Sequence, residues 1–287
     1  MQERFGERMR LSHSAIEKYE SCGYKYYLHY ILKYRSTKSS SALLFGNALD
    51  LALNEMLLGK NDYHTVFDSE WSKSSEADIE YYKSDLNVDL LTDEETQLPF
   101  AEQNFTSLRY KGHLLLDAYK KDVMPRIKKV LEIQGEMTLT GYDDDGNPTE
   151  DSITGKLDLI AIIEDGNGID QEALLDNKTT SEPYPKNSVQ KKDQLALYAC
   201  AYPDIKTFGY LTMNKKNFKT QVILDSISDE KKDTVLTKFI TALDNIKNNI
   251  FPKNKKSCYA FGRRCEYYSH CHYGNFSKDI YQKTEEK

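Results

Sequence analysis

Two stretches decide how this chain is read: Thr154-Gly155-Lys156-Leu157-Asp158 and, after a turn, Leu174-Leu175-Asp176-Asn177-Lys178. In an extended strand side chains alternate between faces, so Asp176 and Lys178 share one face while Leu175 and Asn177 share the other. Ser152 to Ile163 and Ala173 to Lys178 read as strands joined through the turn signal Asp165-Gly166-Asn167-Gly168. Asp158 lies on the first strand and can sit beside Asp176 on the second. Taken alone, an Asp-x-Lys at a strand end is an ordinary surface pair worth under ~1 kcal/mol. Two carboxylates converging at a sheet rim are also the hard oxygen ligands that Mg²⁺ or Mn²⁺ takes, ions that lean on substrate phosphates for further ligands. An ammonium beside them can orient a water or help deprotonate it, and the set suits in-line hydrolysis of a phosphodiester.

Working outward, Met137 to Tyr142 reads as another strand, closed by the turn signal Asp145-Gly146-Asn147-Pro148. Downstream, Lys191 to Ala201 reads as a helix with Gln194 and Tyr198 one turn apart on one face. Thr207 to Met213 and Lys219 to Leu224 form a hairpin pattern, and Asp229 to Asn248 an amphipathic helix. Toward the N-terminus, Ser14-Ala15-Ile16-Glu17 fits a capping box opening a helix to Tyr30, interrupted at Cys22-Gly23. A Ser/Thr-rich linker from Ser36 to Ser41 leads to an apolar helix, Ala42 to Leu58, ended by Gly59. Asn104 to Lys121 is a further helix, and Pro125 marks a break. This order predicts a single α/β domain over residues 1–287, a mixed sheet core flanked by helices with an acidic helical insertion at 60–125.

The chain has 287 residues, 39% hydrophobic and 29% charged, enough apolar material to close a core. Its net charge of −6 is unevenly spread. Lys60 to Glu102 carries twelve acidic residues against three lysines, whereas Pro252 to Lys287 carries eight Lys/Arg against four acids. A mildly basic body with an acidic appendage is compatible with a polyanionic partner, because the local field matters more than the sum. Of 21 tyrosines, six fall between Tyr19 and Tyr34, where amphipathic packing accounts for most and stacking on unpaired bases is the functional alternative. No run approaches the ~18 apolar residues of a membrane helix, and the charged start MQERFGERMR does not fit a secretory signal. A soluble cytoplasmic protein without a membrane partner is the expectation.

Five cysteines are present. Cys258, Cys265 and Cys271 cluster near the C-terminus and Cys22 lies far upstream, giving the four-thiol count that both zinc and iron–sulfur clusters use. Zinc sites more often show closely spaced Cys pairs, absent here, while His270 and His272 add competing donors. Cys200, inside an apolar helix, reads as a core residue.

Taken together these motifs resemble the PD-(D/E)XK nuclease superfamily, in particular its RecB-like branch with a cysteine-ligated cluster. The resemblance rests on Leu11-Ser12-His13-Ser14, Cys22 with Tyr26-Tyr27, Gly46-Asn47-Ala48-Leu49-Asp50, Gly155-Lys156-Leu157-Asp158, Asp176-Asn177-Lys178, Gln194-Leu195-Ala196-Leu197-Tyr198 and the three C-terminal cysteines. It implies a restriction-endonuclease-like fold, with Asp158, Asp176 and the Asn177 carbonyl as metal ligands and Lys178 as catalytic lysine. Gln194 and Tyr198 would help hold DNA and the site. Where the family commonly has a histidine, this chain has Asp50, a third hard ligand that favours Mg²⁺ or Mn²⁺. Glu136 is a further candidate for the acidic cluster.

The family's layout of one N-terminal and three C-terminal cysteines implies a [4Fe–4S] cluster on Cys22, Cys258, Cys265 and Cys271, zinc being the alternative. Such a tie, joining residue 22 to segment 252–275, would close a loop whose restriction is worth on the order of 5 kcal/mol in a chain-entropy model. The implied function is a metal-dependent DNA exonuclease acting on single strands or ends, of phage or prokaryotic origin, with a helicase or recombination protein as partner. A non-catalytic nucleic-acid-binding or helicase-docking module with the same fold is the alternative, motivated by Asp50 and the acidic insertion. An endonuclease or junction resolvase is a third.

Overall fold

A computed structural model describes residues 9–74, 79–81, 100–142, 147–262 and 264–283. Most of the acidic run, the Asp145-Gly146 turn and Arg263 lie outside these. The chain opens with β1 (Arg10–Ser12) and α1 (His13–Ser21), whose first turn is capped by the Ser12 hydroxyl accepting from the Ala15 N–H at 3.2 Å. The cap is therefore Ser12 rather than Ser14, whose hydroxyl instead meets that of Ser12. Cys22 is extended, with φ −166°, and interrupts the helix before α2 (Gly23–Tyr26) and a π turn (Tyr27–Ile31). The Ser36–Ser41 stretch is not a free linker: β2 (Tyr34–Ser36) and β3 (Ser39–Ser40) occupy it. Ser40 then caps α3 (Ser41–Leu57), which stops at Gly59 in a left-handed conformation.

Then follow α4 (Tyr63–Trp71), β4 (Ile79–Glu80) and α5 (Phe100–Asp122). After a 3₁₀ turn come β5 (Ile127–Ile133), β6 (Glu136–Tyr142) and β7 (Pro148–Lys156). Next are β8 (Leu159–Glu164), β9 (Asp170–Thr180), α6 (Ser188–Lys191) and α7 (Asp193–Ala201). The chain closes with β10 (Thr207–Asn214), β11 (Thr220–Asp225), α8 (Asp229–Lys247), α9 (Tyr268–Tyr273) and β12 (Ile280–Gln282).

The predicted strand Ser152–Ile163 is two strands, broken at Leu157-Asp158, and the halves belong to different sheets. The predicted helix Lys191–Ala201 is likewise split at Lys192. The central sheet has the order β11-β10-β9-β8-β5, with β9 and β10 parallel and the other neighbours antiparallel. A three-stranded sheet, β1-β7-β6, stands beside it.

Alternation along the central strands builds one core on each face. Ile160, Leu174 and Tyr210 pack with α1, α7 and α8, while Leu159, Leu175 and Leu211 pack with α3, α4 and α5. The result is the mixed α/β, restriction-endonuclease-like architecture expected from the sequence. The described part of segment 60–125 is not a surface appendage, because Tyr63, Phe67, Trp71, Leu115 and Tyr119 are all buried in the second core. The N-terminal tyrosines follow the packing reading, with Tyr19 and Tyr26 buried. Among the described residues, no helix is long and apolar enough to cross a membrane.

Candidate active site

The break between β7 and β8 places Asp158 at the end of the central sheet, next to the middle of β9. Leu159 pairs with Leu175, so Asp158 falls beside Asp176-Asn177, and the Asn177 N–H donates to Asp158 Oδ2 at 2.8 Å. Asp176 and Lys178, two apart on β9, share a face, and their side chains form an ion pair of 2.7 Å. The Asp176 side chain is 1% exposed and that of Lys178 31%, so the pair has one buried partner and one that reaches the cleft, unlike the surface pair that an isolated Asp-x-Lys suggests. Gln194 on α7 donates from Nε2 to Asp176 Oδ1 at 2.8 Å and to the Tyr198 hydroxyl at 3.1 Å. Tyr198 in turn donates to the Lys156 carbonyl at 2.7 Å. Gly155 makes that contact possible, since a Cβ there would stand 2.8 Å from the Tyr198 ring.

Asp50 reaches the same rim from α3. With Gly46, Asp158, Asn177 and Lys178 it lines a cleft of about 300 Å³. Ala42, Gly46 and Asp50, spaced by a helical turn, keep that face of α3 low enough to leave the cleft open. Lys178 also borders a second cleft of about 540 Å³, where His13, Gln194 and the lysines 191, 192, 231 and 238 mix with Glu17, Glu20 and Asp193, and Asp193 pairs with Lys231 and Lys238. Glu136 does not join the acidic cluster: it pairs with Lys156 across β6 and β7 and lines a separate groove with Arg10 and Ser12.

The electrostatics follow from three carboxylates near one lysine. Burial pushes the Asp158 carboxyl up to about 8, and the neighbouring Asp176 and Asp50 charges add to the rise. Burial also raises Asp50 and Asp176, in spite of Gln134 beside the first and Lys178 beside the second. Burial pulls the Lys178 ammonium down, but Asp176 and Asp158 overcome it and hold the group above its ordinary value. The donor set thus suits a hard divalent cation, whose charge would relieve the repulsion among the carboxylates. The carboxylates face their own donors, and no three His, Cys, Asp or Glu side chains among the described residues already converge as a ligand group.

Two contacts escaped the sequence reading. Tyr119 on α5, fully buried, donates to Asn177 Oδ1 at 3.2 Å, and Gln134 donates to Asp50 Oδ2 at 2.9 Å. Tyr119 reads as one more apolar position of a helix; Gln134 leaves no side-chain pattern at all.

The four candidate cluster cysteines lie in one region of the fold, but among the described residues they do not converge as a ligand group. The Cys271 thiol lies within electrostatic reach of Cys265, Cys22 and Cys258, and the Cys265 N–H donates to the Cys258 carbonyl at 2.8 Å. The Asn254 N–H reaches Cys22 Sγ at 3.4 Å, and β2 pairs with β12, clasping the two ends of the chain. His272 Nε2 lies 4.0 Å from Cys258 Sγ. Cys200 is elsewhere, on α7, with its thiol directed to the Ala196 carbonyl.

No curated protein matches the chain. Among solved structures, the crystal structure of SSO0001 is similar at 15% identity, covering 61% of this chain and 77% of that one. Its TM-score of 0.32 is too low to carry an argument. The model of the PD-(D/E)XK nuclease superfamily matches residues 10–272, a span that includes the carboxylates, the lysine, the helix behind them and all five cysteines. With that match over nearly its whole length, the chain belongs to the PD-(D/E)XK nuclease superfamily.

Proposed function

We propose that the chain is a Mg²⁺- or Mn²⁺-dependent deoxyribonuclease of the RecB-like branch, an exonuclease acting on single strands or DNA ends. The observation that carries this reading is the rim where Asp158, Asp176 and Lys178 meet from adjoining strands, the ion pair closed at 2.7 Å and Asp158 tied to the Asn177 N–H at 2.8 Å. In this reading Asp50, Asp158, Asp176 and the Asn177 carbonyl hold the cation. When bound, it supplies positive charge against the phosphate and eases deprotonation of the attacking water.

Lys178 is held protonated by Asp176 and Asp158, which favours a role in orienting and neutralising the phosphate over one as a base. Gln194, itself held by the Tyr198 hydroxyl, fixes Asp176, whose other oxygen meets Lys178. The second cleft, of mixed charge, offers a nucleic-acid strand a path past Lys178 along Lys191 and Lys192.

The reading extends to one nuclease domain over residues 1–287, with 60–125 inserted into it. Cys22 and segment 252–275 form the cluster corner, holding [4Fe–4S] in preference to zinc. The four cysteines, one near the N-terminal end of the matched span and three near its C-terminal end, support this, since thiolates are the donors such clusters take. A helicase or recombination protein is the proposed partner, in a phage or prokaryotic cytoplasm.

The test is a gel with linear, circular and end-blocked labelled DNA in Mg²⁺ or Mn²⁺. Loss of linear but not circular or end-blocked DNA, abolished in Lys178→Ala, is the expected result. Tight binding without turnover in any divalent cation would overturn the enzyme reading, and cleavage of circles the exonuclease reading.

A further inference from the structure

Gln134 touches two members of the acidic cluster, and it does so from a backbone conformation that its side chain disfavours. Its φ is +56°, in the left-handed region where non-glycine residues are uncommon. Such conformations persist where the surroundings over-determine them, and they concentrate at functional sites. Here the surroundings are two bends running side by side. Gln134-Gly135 carries the chain from β5 in the central sheet to β6 in the smaller one, and Leu157-Asp158 carries it back from β7 to β8.

The bends are bonded to each other. The Gln134 N–H donates to the Asp158 carbonyl at 3.0 Å, and the Leu157 N–H donates to the Gly135 carbonyl at 2.9 Å. From this anchored position the Gln134 side chain reaches α3 and donates to Asp50 Oδ2 at 2.9 Å. Asp50 and Asp158 are 108 positions apart on different elements, and Gln134 links them through one backbone bond and one side-chain bond. The donor is neutral. A lysine or arginine there would also hold Asp50, but it would cancel the negative potential that draws a cation into the cleft.

We propose that Gln134 is a positioning residue, fixing the Asp50 carboxylate relative to Asp158 so that both present oxygen to the same divalent cation. The amide occupies Oδ2 and leaves the other oxygen for the cleft that Asp50 lines. This inference rests on the cation-dependent nuclease reading.

The experiment is calorimetric titration of Mn²⁺ into the full-length wild type, Gln134→Gly and Gln134→Met, with a cation-free thermal melt of each. Glycine accepts the left-handed backbone and keeps the N–H to Asp158, so only the amide is lost. Methionine keeps the length and the backbone strain without the donor. Both are expected to bind Mn²⁺ about 10-fold more weakly, with cation-free Tm of the glycine variant unchanged or raised. Unchanged Mn²⁺ affinity would overturn the proposal, and so would a fall in Tm parallel to the fall in affinity, the mark of a merely structural role. In a cleavage assay, the Mn²⁺ requirement should rise while kcat at saturating Mn²⁺ stays close to that of the wild type. Failure of the nuclease reading is distinguishable, because it would appear in the wild type as absence of cation-dependent cleavage.

Discussion

The carboxylate–lysine rim and the four-thiol corner are built in opposite ways. At the rim each of four side chains is braced by the protein: Asp176 by Lys178 and Gln194, Asp158 by the Asn177 N–H, Asp50 by Gln134, and the Asn177 Oδ1 by Tyr119, with Asn177 Nδ2 left buried without a hydrogen-bond partner among the described residues. The bracing comes from strands adjacent in the sheet and helices packed on its two faces. At the thiol corner, backbone pairing and aromatic stacking bring the chain ends together. Tyr24 stacks on His270, and Tyr34 and His270 each stack on Phe276. The thiols themselves have few partners, Cys22 meeting only the Pro252 carbonyl and the Asn254 N–H among the described contacts. The rim's order lies in hydrogen bonds and ion pairs to its polar side chains, whereas the corner's lies in backbone pairing and ring packing around the thiols.

That contrast can be broken or sharpened by experiment. On the proposed cluster, Cys258→Ser should cost up to about 5 kcal/mol of stability, read in a denaturant melt, and expose the C-terminal segment to proteases. Unchanged stability would make the corner as self-sufficient as the rim. Lys178→Ala should lower cleavage by about 1,000-fold, equivalent to about 4 kcal/mol of barrier, measured at saturating Mg²⁺. A small loss would move the lysine out of the chemistry.

The rim also carries a pH signature. Burial and neighbouring charges hold the Asp158 carboxyl at about 8 in the folded chain, so the fold binds that proton more tightly than the unfolded chain does. The resulting stabilisation is complete below the ordinary carboxylate range and is lost as pH rises through about 8. Cation-free Tm should therefore fall from the ordinary carboxylate range up to about pH 8 and level off above it, and the Tm gain on adding Mg²⁺ should grow over the same range. Asp158→Asn should flatten both curves. The smallest effect belongs to Tyr119→Phe, which removes one hydrogen bond at the back of the rim and should cost about 1 kcal/mol in a thermal melt.

The rim was legible in the sequence because its members lie on strands, where a period of two fixes the faces of Asp176 and Lys178 from local order alone. Asp50 was legible from its place on an apolar helix and from the family motif. Less visible was β5: its sequence Ile127-Lys128-Lys129-Val130-Leu131-Glu132-Ile133 interleaves charges, as an edge strand does, and two register shifts against β8 break the alternation. The division of Ser152–Ile163 was hidden because no proline or turn dipeptide marks Leu157-Asp158, and only the passage between sheets separates the halves. Gln134 was invisible, since its role comes from a backbone angle that an ordinary glutamine does not announce. The four cysteines gave a count and a spacing, but their placement in one region depends on the whole chain folding first.

The most direct test of the central claim is a crystal structure with Mn²⁺, located by its anomalous scattering. The account requires a single strong peak in the cleft beside Gly46, bonded to Asp158, Asp176 and the Asn177 carbonyl, with Asp50 in reach. Mn²⁺ bound elsewhere, with the Asp176–Lys178 pair and Asp158 undisturbed, would contradict it.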